Sequence, residues 1–188
     1  MFKTIPVEVS ARHVHLTQKD LERLFGKDYK LKKLKELTLP GEFATKEKIL
    51  IKNKKNKLEL RIVGPVRKYT QVELSITDAI GLDIKPVIRV SGKILGTPGA
   101  VLIGPKGKIE LKRGVIVAQR HIHCTKEEAK KLSLKNKQNV SVKIKGKREL
   151  IFKKVRVRIS DKYKLCCHLD TDEGNSAGIN KKVKGYLA

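Results

Sequence analysis

The sequence predicts a mainly β protein with short helices, built as two β-barrel domains related by an internal repeat of approximate two-fold character. Three observations predict it. Residues 8–25 (EVSARHVHLTQKDLERLF) and 116–132 (IVAQRHIHCTKEEAKKL) say nearly the same thing. Each copy is followed by short alternating or β-branched runs, broken at Pro and Gly. Many short strands with one or two helices per copy suit small barrels better than a layered α/β sheet. The repeat divides the 188 residues into a first domain over 1–90 and a second over 91–188, joined by a Gly- and Pro-rich bridge of about residues 81–112.

Taken in order, the chain opens on strand-like residues (TIPVEVS) and reaches Arg12-His13-Val14-His15, which alternates like a strand. A helix follows: Thr17 can cap it, Asp20 stands three positions on as an acidic near-match to a capping box, and Leu21, Leu24 and Phe25 form its apolar stripe. Strands are predicted over 48–51, 58–63 and 71–76. The second copy repeats the pattern: Arg120-His121-Ile122-His123, a helix capped by Thr125 with Ala129 and Leu132 inward, then strands over 140–144, 150–152 and 155–159.

The chain has five histidines, and four sit in the two His-x-His pairs. On a strand, residues i and i+2 point the same way, so each pair aims two imidazoles at one point while Val14 and Ile122 turn back toward a core. A zinc ion bound at roughly 2.0–2.1 Å needs such convergence. One pair alone reads as readily as two surface or core histidines; two pairs in duplicated frames point to metal.

Laying the copies over each other extends the repeat. The run Val72-Glu73-Leu74 falls on Cys167-His168-Leu169, so Glu73 meets the fifth histidine, His168. Each copy then offers three ligands: His13, His15 and Glu73, then His121, His123 and His168. Three protein ligands leave a position open, the mark of a catalytic rather than structural zinc. Arg67 stands an even number of residues before Glu73 and so shares its strand face if no bulge intervenes, and its planar guanidinium suits bidentate phosphate binding.

Composition bounds the rest. No run approaches 18 apolar residues, and no basic-then-apolar leader opens the sequence, so no membrane span is expected and the cytoplasm is the expected location. Cys124, Cys166 and Cys167 form neither a CxxC pair nor a disulfide framework; a buried thiol is the plain reading, although Cys166 lies two residues before His168. The net charge of +25 attracts anions. Aromatics reach only 4% with no Trp, which gives little material for base stacking, so no nucleic-acid partner is expected. Phosphorylated small molecules or coenzymes suit the field as well, and a Lys-rich solvated surface explains the charge without any ligand.

The motifs Val9-Ser10-x-Arg12-His13-Val14-His15-Leu16, Pro40-Gly41-x-Phe43-Ala44, Gly64-Pro65-Val66-Arg67-Lys68-x-Thr70-Gln71-Val72-Glu73, Thr77-Asp78-Ala79, Ile84-Lys85-Pro86, Arg89-x-Ser91-Gly92, Arg120-His121-Ile122-His123 and His168-x-Asp170-Thr171-Asp172-Glu173 follow one another along almost the whole chain. In these the sequence resembles the phosphate propanoyltransferase family, phosphotransacylases of the propanediol-utilisation type. The resemblance implies two barrels around a cleft with two zinc ions, and the reversible reaction of a short acyl-CoA with inorganic phosphate to give acyl phosphate and coenzyme A. It implies that the two histidine triads just described, the first with Glu73, hold the zincs, that Arg67 contacts phosphate, and that Ser91 and Asn175 line the phosphate and coenzyme A site. Leu39 stands where the family often has Gln, Cys124 where Met is common, and Gly174-Asn175-Ser176 is a variant tail; these bear on coenzyme contacts near Pro40, not on the ligands.

Two rival readings use the same residues: a di-zinc hydrolase of thioesters or phosphoesters, and a zinc-stabilised nucleic-acid-binding protein. Encapsulated relatives resemble this chain behind an amphipathic N-terminal extension, which the few residues ahead of the first strand are too short to form. A cytoplasmic enzyme outside a microcompartment is therefore expected. The sequence leaves acetyl against propanoyl preference open, and with it assembly as a homo-oligomer.

Overall fold

A computed structural model describes residues 3–180 and 182–188, so the lysine run at 181–184 is described only from Lys182. Its elements in chain order are β1 (Thr4–Val9), β2 (His13–His15), α1 (Gln18–Phe25), β3 (Lys33–Glu36), β4 (Phe43–Asn53), β5 (Asn56–Gly64), β6 (Gln71–Leu74), α2 (Ile76–Gly81), β7 (Ile88–Arg89), β8 (Ala100–Ile103), β9 (Lys108–Leu111) and β10 (Val115–Ala118). There follow β11 (His121–Cys124), α3 (Lys126–Leu132), β12 (Asn139–Ile144), β13 (Leu150–Ile159), β14 (Cys166–Leu169), α4 (Thr171–Ser176) and β15 (Val183–Leu187). The protein is mainly β with four short helices among the described residues, none long and apolar enough to cross a membrane.

Two compact units form, and neither is a continuous half of the chain. One contains the residues through Ala11, the short stretch Thr38–Pro40 and Gln119–Ala188; the other contains Arg12–Leu37 and Gly41–Ala118. The first is a closed barrel in the order β1-β14-β11-β13-β12-β15. The second is an open, curled half-barrel sheet in the order β7-β10-β6-β2-β5-β4-β8-β9, with β3 added on β4. A cut near residue 90 therefore does not separate the sheets, and the stretch from 81 to 112 is not a bare bridge. It supplies β7, β8 and β9, because β8 pairs with β4 and β7 with β10.

The reason is a reciprocal exchange of the strand that precedes each His-x-His. β1 leads into β2 yet pairs with β14 and β15 of the barrel. β10 leads into β11 yet pairs with β6 of the sheet. The two registers match: Glu8 lies opposite His168, and Ile116 opposite Glu73. Through this exchange the run β10-β6-β2-β5-β4 of the sheet repeats the run β1-β14-β11-β13-β12 of the barrel, strand for strand. A register shift recurs too, in the pairing of β4 with β5 and of β12 with β13; such irregularities bend a sheet toward closure.

Each unit has its own apolar interior. Val14, Leu16, Ile51, Leu60, Ile62 and Leu102 lie in one, and Ile5, Val7, Ile122, Ile144, Val155 and Val157 in the other. Val14 and Ile122 are fully buried, as strand parity requires. At about 1.5–3 kcal/mol for burying such a side chain, each helps to hold its strand in register.

The helix caps explain a difference between the copies. In α3, Thr125 accepts from Glu128 N at 3.1 Å while the Glu128 carboxylate accepts from Thr125 N at 2.8 Å, a closed capping box. In α1 the shorter Asp20 does not close the box: Thr17 accepts from Asp20 N, and the Thr17 N–H donates to Thr70 Oγ1, whose hydroxyl donates to Asp20. The runs after β6 and β14, for which the sequence predicts no helix, are α2 and α4, capped by Ser75 and Asp170.

Gly185 of β15 tests the packing of the barrel. A Cβ there would meet Val142 Cγ1 and Val7 Cγ2, each at 2.7 Å. Gly185→Ala is expected to lower stability by about 1–3 kcal/mol through overpacking. Urea unfolding should show a lower midpoint with an unchanged slope.

Candidate metal centres

Register builds both centres. In the antiparallel pair β2–β6, His13 lies opposite Glu73 and His15 opposite Gln71. In β11–β14, His121 lies opposite His168 and His123 opposite Cys166. Directly opposed residues on one face of such a pair have Cβ atoms about 4.5–5.5 Å apart. A His-x-His strand paired this way therefore meets its third donor by backbone geometry alone. In each trio the candidate ligand atoms all lie within 4.8 Å of one another.

At the first trio the Nε2 atoms of His13 and His15 approach to 3.2 Å, and Glu73 Oε2 lies 3.7 Å from His13 Nε2. His15 Nδ1 contacts the Val63 carbonyl at 3.2 Å, which assigns the proton to Nδ1 and the lone pair to Nε2. Burial, with the charges of His13 and Arg67 adding to it, holds His15 well below the usual imidazole range despite Glu73 and Val63. His15 is thus neutral at neutral pH, the form that ligates a metal. The other oxygen of Glu73, Oε1, accepts from Gln71 Nε2 at 2.7 Å and from Ser91 Oγ at 2.8 Å. Gln71 is itself fixed by Gly92 N at 2.7 Å. This network commits Oε1 and leaves Oε2 on the histidine side.

At the second trio the rings of His121, His123 and His168 have centroids 4.4 to 5.2 Å apart. His121 Nδ1 lies 2.8 Å from the Gln119 carbonyl, so Nε2 is the atom it could offer to a metal. Tyr163 packs on His123 with centroids 4.1 Å apart. His168 Nδ1 is 3.4 Å from Glu8 Oε1. Burial raises the Glu8 carboxyl, but the Thr38 hydroxyl, His168 and Lys182 outweigh it and keep Glu8 below the usual carboxylate range. Imidazole and carboxylate donors, three to a centre, are the set that zinc takes at catalytic sites.

The six predicted ligands therefore gather into two groups of three. Arg67 N donates to the Leu16 carbonyl at 2.8 Å, and its guanidinium pairs with Glu42 at 2.5 Å. Its backbone is thus docked one residue beyond His15, and its charge adds to the burial that lowers the His15 pKa. Ser91 stands behind Glu73 as described, and Asn175 is exposed on α4, in neither trio.

The arginines of the duplicated motif had no role assigned from sequence. Arg12 pairs with Asp78 of α2 at 3.0 Å and donates to the Glu59 carbonyl at 3.1 Å. Arg120 pairs with Glu173 of α4 at 2.8 Å and donates to the Lys153 carbonyl at 2.8 Å. Each ties the start of a His-x-His strand to the helix that follows the third ligand. Asp78 and Glu173 stand at the same distance after Glu73 and His168, so the repeat alignment carried this signal.

A family model described as phosphate propanoyltransferase matches residues 6–180. The phosphate propanoyltransferase of Leptotrichia buccalis is 48% identical over 186 residues, covering 98% of this chain and 88% of the relative. That of Sebaldella termitidis is 46% identical over 183 residues (96% and 86%), and that of Thermotoga maritima 48% over 185 (97% and 88%).

Burial pushes the thiol of Cys124 up to about 11 and that of Cys166 up to about 12, and raises Cys167 further still. All three are buried and reduced, so none supplies a thiolate nucleophile at neutral pH. Ellman's reagent is expected to find no reactive thiol in the folded protein and three in denaturant.

Proposed function

This chain belongs to the phosphate propanoyltransferase family and is an acyltransferase; from that premise we propose that it moves a short acyl group reversibly between coenzyme A and inorganic phosphate, with His13, His15 and Glu73 holding one zinc and His121, His123 and His168 a second. The observation that carries the metal reading is the shared register, which places His13 opposite Glu73 and His121 opposite His168. Zinc bound at these donors would supply Lewis acidity toward carbonyl, phosphate and thiolate groups.

The chemistry asks for one bond made and one broken. A phosphate oxygen bonds to the thioester carbonyl carbon, the carbon–sulfur bond breaks, and the proton of hydrogen phosphate ends on the departing thiolate. Arg67 is suited to hold the phosphate, because its guanidinium stays charged throughout and offers a planar fork of N–H donors. Glu42 holds one edge of that fork. Gln71 and Ser91 fix the carboxylate of Glu73, and the Val63 and Gln119 carbonyls fix the rings of His15 and His121. The net charge of +25 draws in phosphate and the polyanionic coenzyme.

Purified protein given acetyl-CoA or propanoyl-CoA should release thiol only when phosphate is present, and a chelator should abolish the release. Thiol release without phosphate would mean a hydrolase and overturn the transferase reading. Arg67→Ala is expected to lower kcat/KM for phosphate by about 10²-fold or more, with Arg67→Lys recovering part of the loss.

A further inference from the structure

We infer that Glu8 is a positioning residue for the second metal: by engaging His168 Nδ1, it fixes the ring and presents Nε2 to the ion. The inference rests on the metal reading above and adds to it a residue of β1, a strand remote in sequence from all three ligands of that trio.

The geometry is set by the backbone. In the parallel pair β1–β14, Glu8 lies opposite His168, with Glu8 Oε1 3.4 Å from His168 Nδ1. The second carboxylate oxygen is engaged from its far side: the Thr38 hydroxyl donates to Oε2 at 2.7 Å, and Lys182 Nζ lies 3.3 Å from it. A carboxylate anchored at one oxygen holds the other in place, and a ligating histidine held through its remaining nitrogen by a carboxylate is both oriented and made more basic.

The matched position in the other unit argues for selection by chemistry rather than accident. There the third ligand is itself a carboxylate, Glu73, and the residue opposite it is Ile116, fully apolar and buried. A carboxylate at 116 would face Glu73 and repel it, and an isoleucine at 8 could not engage the imidazole. Each centre therefore draws on one carboxylate, directly at Glu73 or through His168 at Glu8.

A rival arrangement uses Glu8, Cys166 and His168 as ligands of their own, since their donor atoms also lie within 4.8 Å. The ammonium of Lys182 against Glu8 disfavours a second cation there, and His168 Nδ1 would have to leave Glu8 to bind it.

The test titrates zinc into the full-length, chelator-stripped protein against a chromophoric competitor. Wild type is expected to take up two ions; Glu8→Gln should keep one tight site and weaken the other about 10- to 100-fold. Nitrogen-15 spectra of the zinc-loaded protein should show the His168 Nδ1–H resonance shifted in Glu8→Gln. Thr38→Val, which removes one of the two anchors of Glu8 Oε2 and leaves the carboxylate and Lys182 in place, should shift that resonance the same way but by less than Glu8→Gln, a graded response that a packing defect alone would not give. If Glu8→Gln does not fold, Glu8→Asp, one methylene too short to reach, carries the same expectation. Two ions bound with unchanged affinity and an unmoved His168 resonance in Glu8→Gln would overturn the inference while leaving the zinc reading intact. A sulfur-to-cobalt absorption band that Cys166→Ser removes would overturn it in favour of the rival trio. A wild type that takes up no zinc would end both readings.

Discussion

Strand register is the constraint on which both centres depend. A His-x-His pair points one way only if the residue between points the other, and Val14 and Ile122 are each wholly buried in the interior of their unit. Slipping β2 or β11 by one residue would expose that side chain and turn both histidines into the core. The same register sets His13 across from Glu73 and His121 across from His168. The six candidate ligands are therefore positioned by hydrogen-bonded backbone and core packing, with no long loop needed to bring each trio together. Arg12 and Arg120 reinforce this from the start of each strand, reaching both a neighbouring carbonyl and the helix beyond the third ligand.

The exchange of β1 and β10 has a chemical consequence. Each supplies the parallel neighbour of the strand that bears the third ligand, so a residue far away in sequence determines what stands opposite that ligand. Placing Glu8 against His168 and Ile116 against Glu73 lets one backbone plan serve two donor sets of different charge. The duplication has kept the geometry and let the support diverge: Gln71 and Ser91 back Glu73, whereas Thr38 and Lys182 back Glu8.

Much of this was legible in the sequence because it depends on local parity. The two His-x-His strands, the helices capped by Thr17 and Thr125, and the pairing of Glu73 with His168 all follow from periodicity and self-alignment. The strand exchange was not legible, since nothing in the composition of β1 or β10 says which β-strand will be its neighbour. For the same reason a Gly- and Pro-rich stretch looked like a bridge, although β7, β8 and β9 lie within it. Ser91 was invisible as a partner of Glu73 because a hydrogen bond from 18 residues further on leaves no spacing to read, whereas Gln71 shares a strand face with Glu73 at the i, i+2 spacing and drew no notice because glutamine there carries no metal chemistry of its own. Asp20 looked adequate for a capping box, but its side chain is one methylene shorter than Glu128, and Thr70 takes up the difference.

Arg67 brings the two levels together. Its backbone is docked on Leu16, one residue beyond His15, and its side chain is held by Glu42. An arginine so restrained has already lost much of the rotamer freedom that phosphate binding would otherwise cost. Glu42 does impose a repulsion on any dianion that arrives. That repulsion is offset where other positive charge is close, and the excess of 44 Lys and Arg over 19 Asp and Glu gives the chain such a field. The guanidinium and a neutral His15 are therefore compatible demands: burial is the main reason the His15 pKa is lowered, and the positive charges of His13 and then Arg67 add to it, so a cation suited to phosphate does not work against an imidazole suited to a metal.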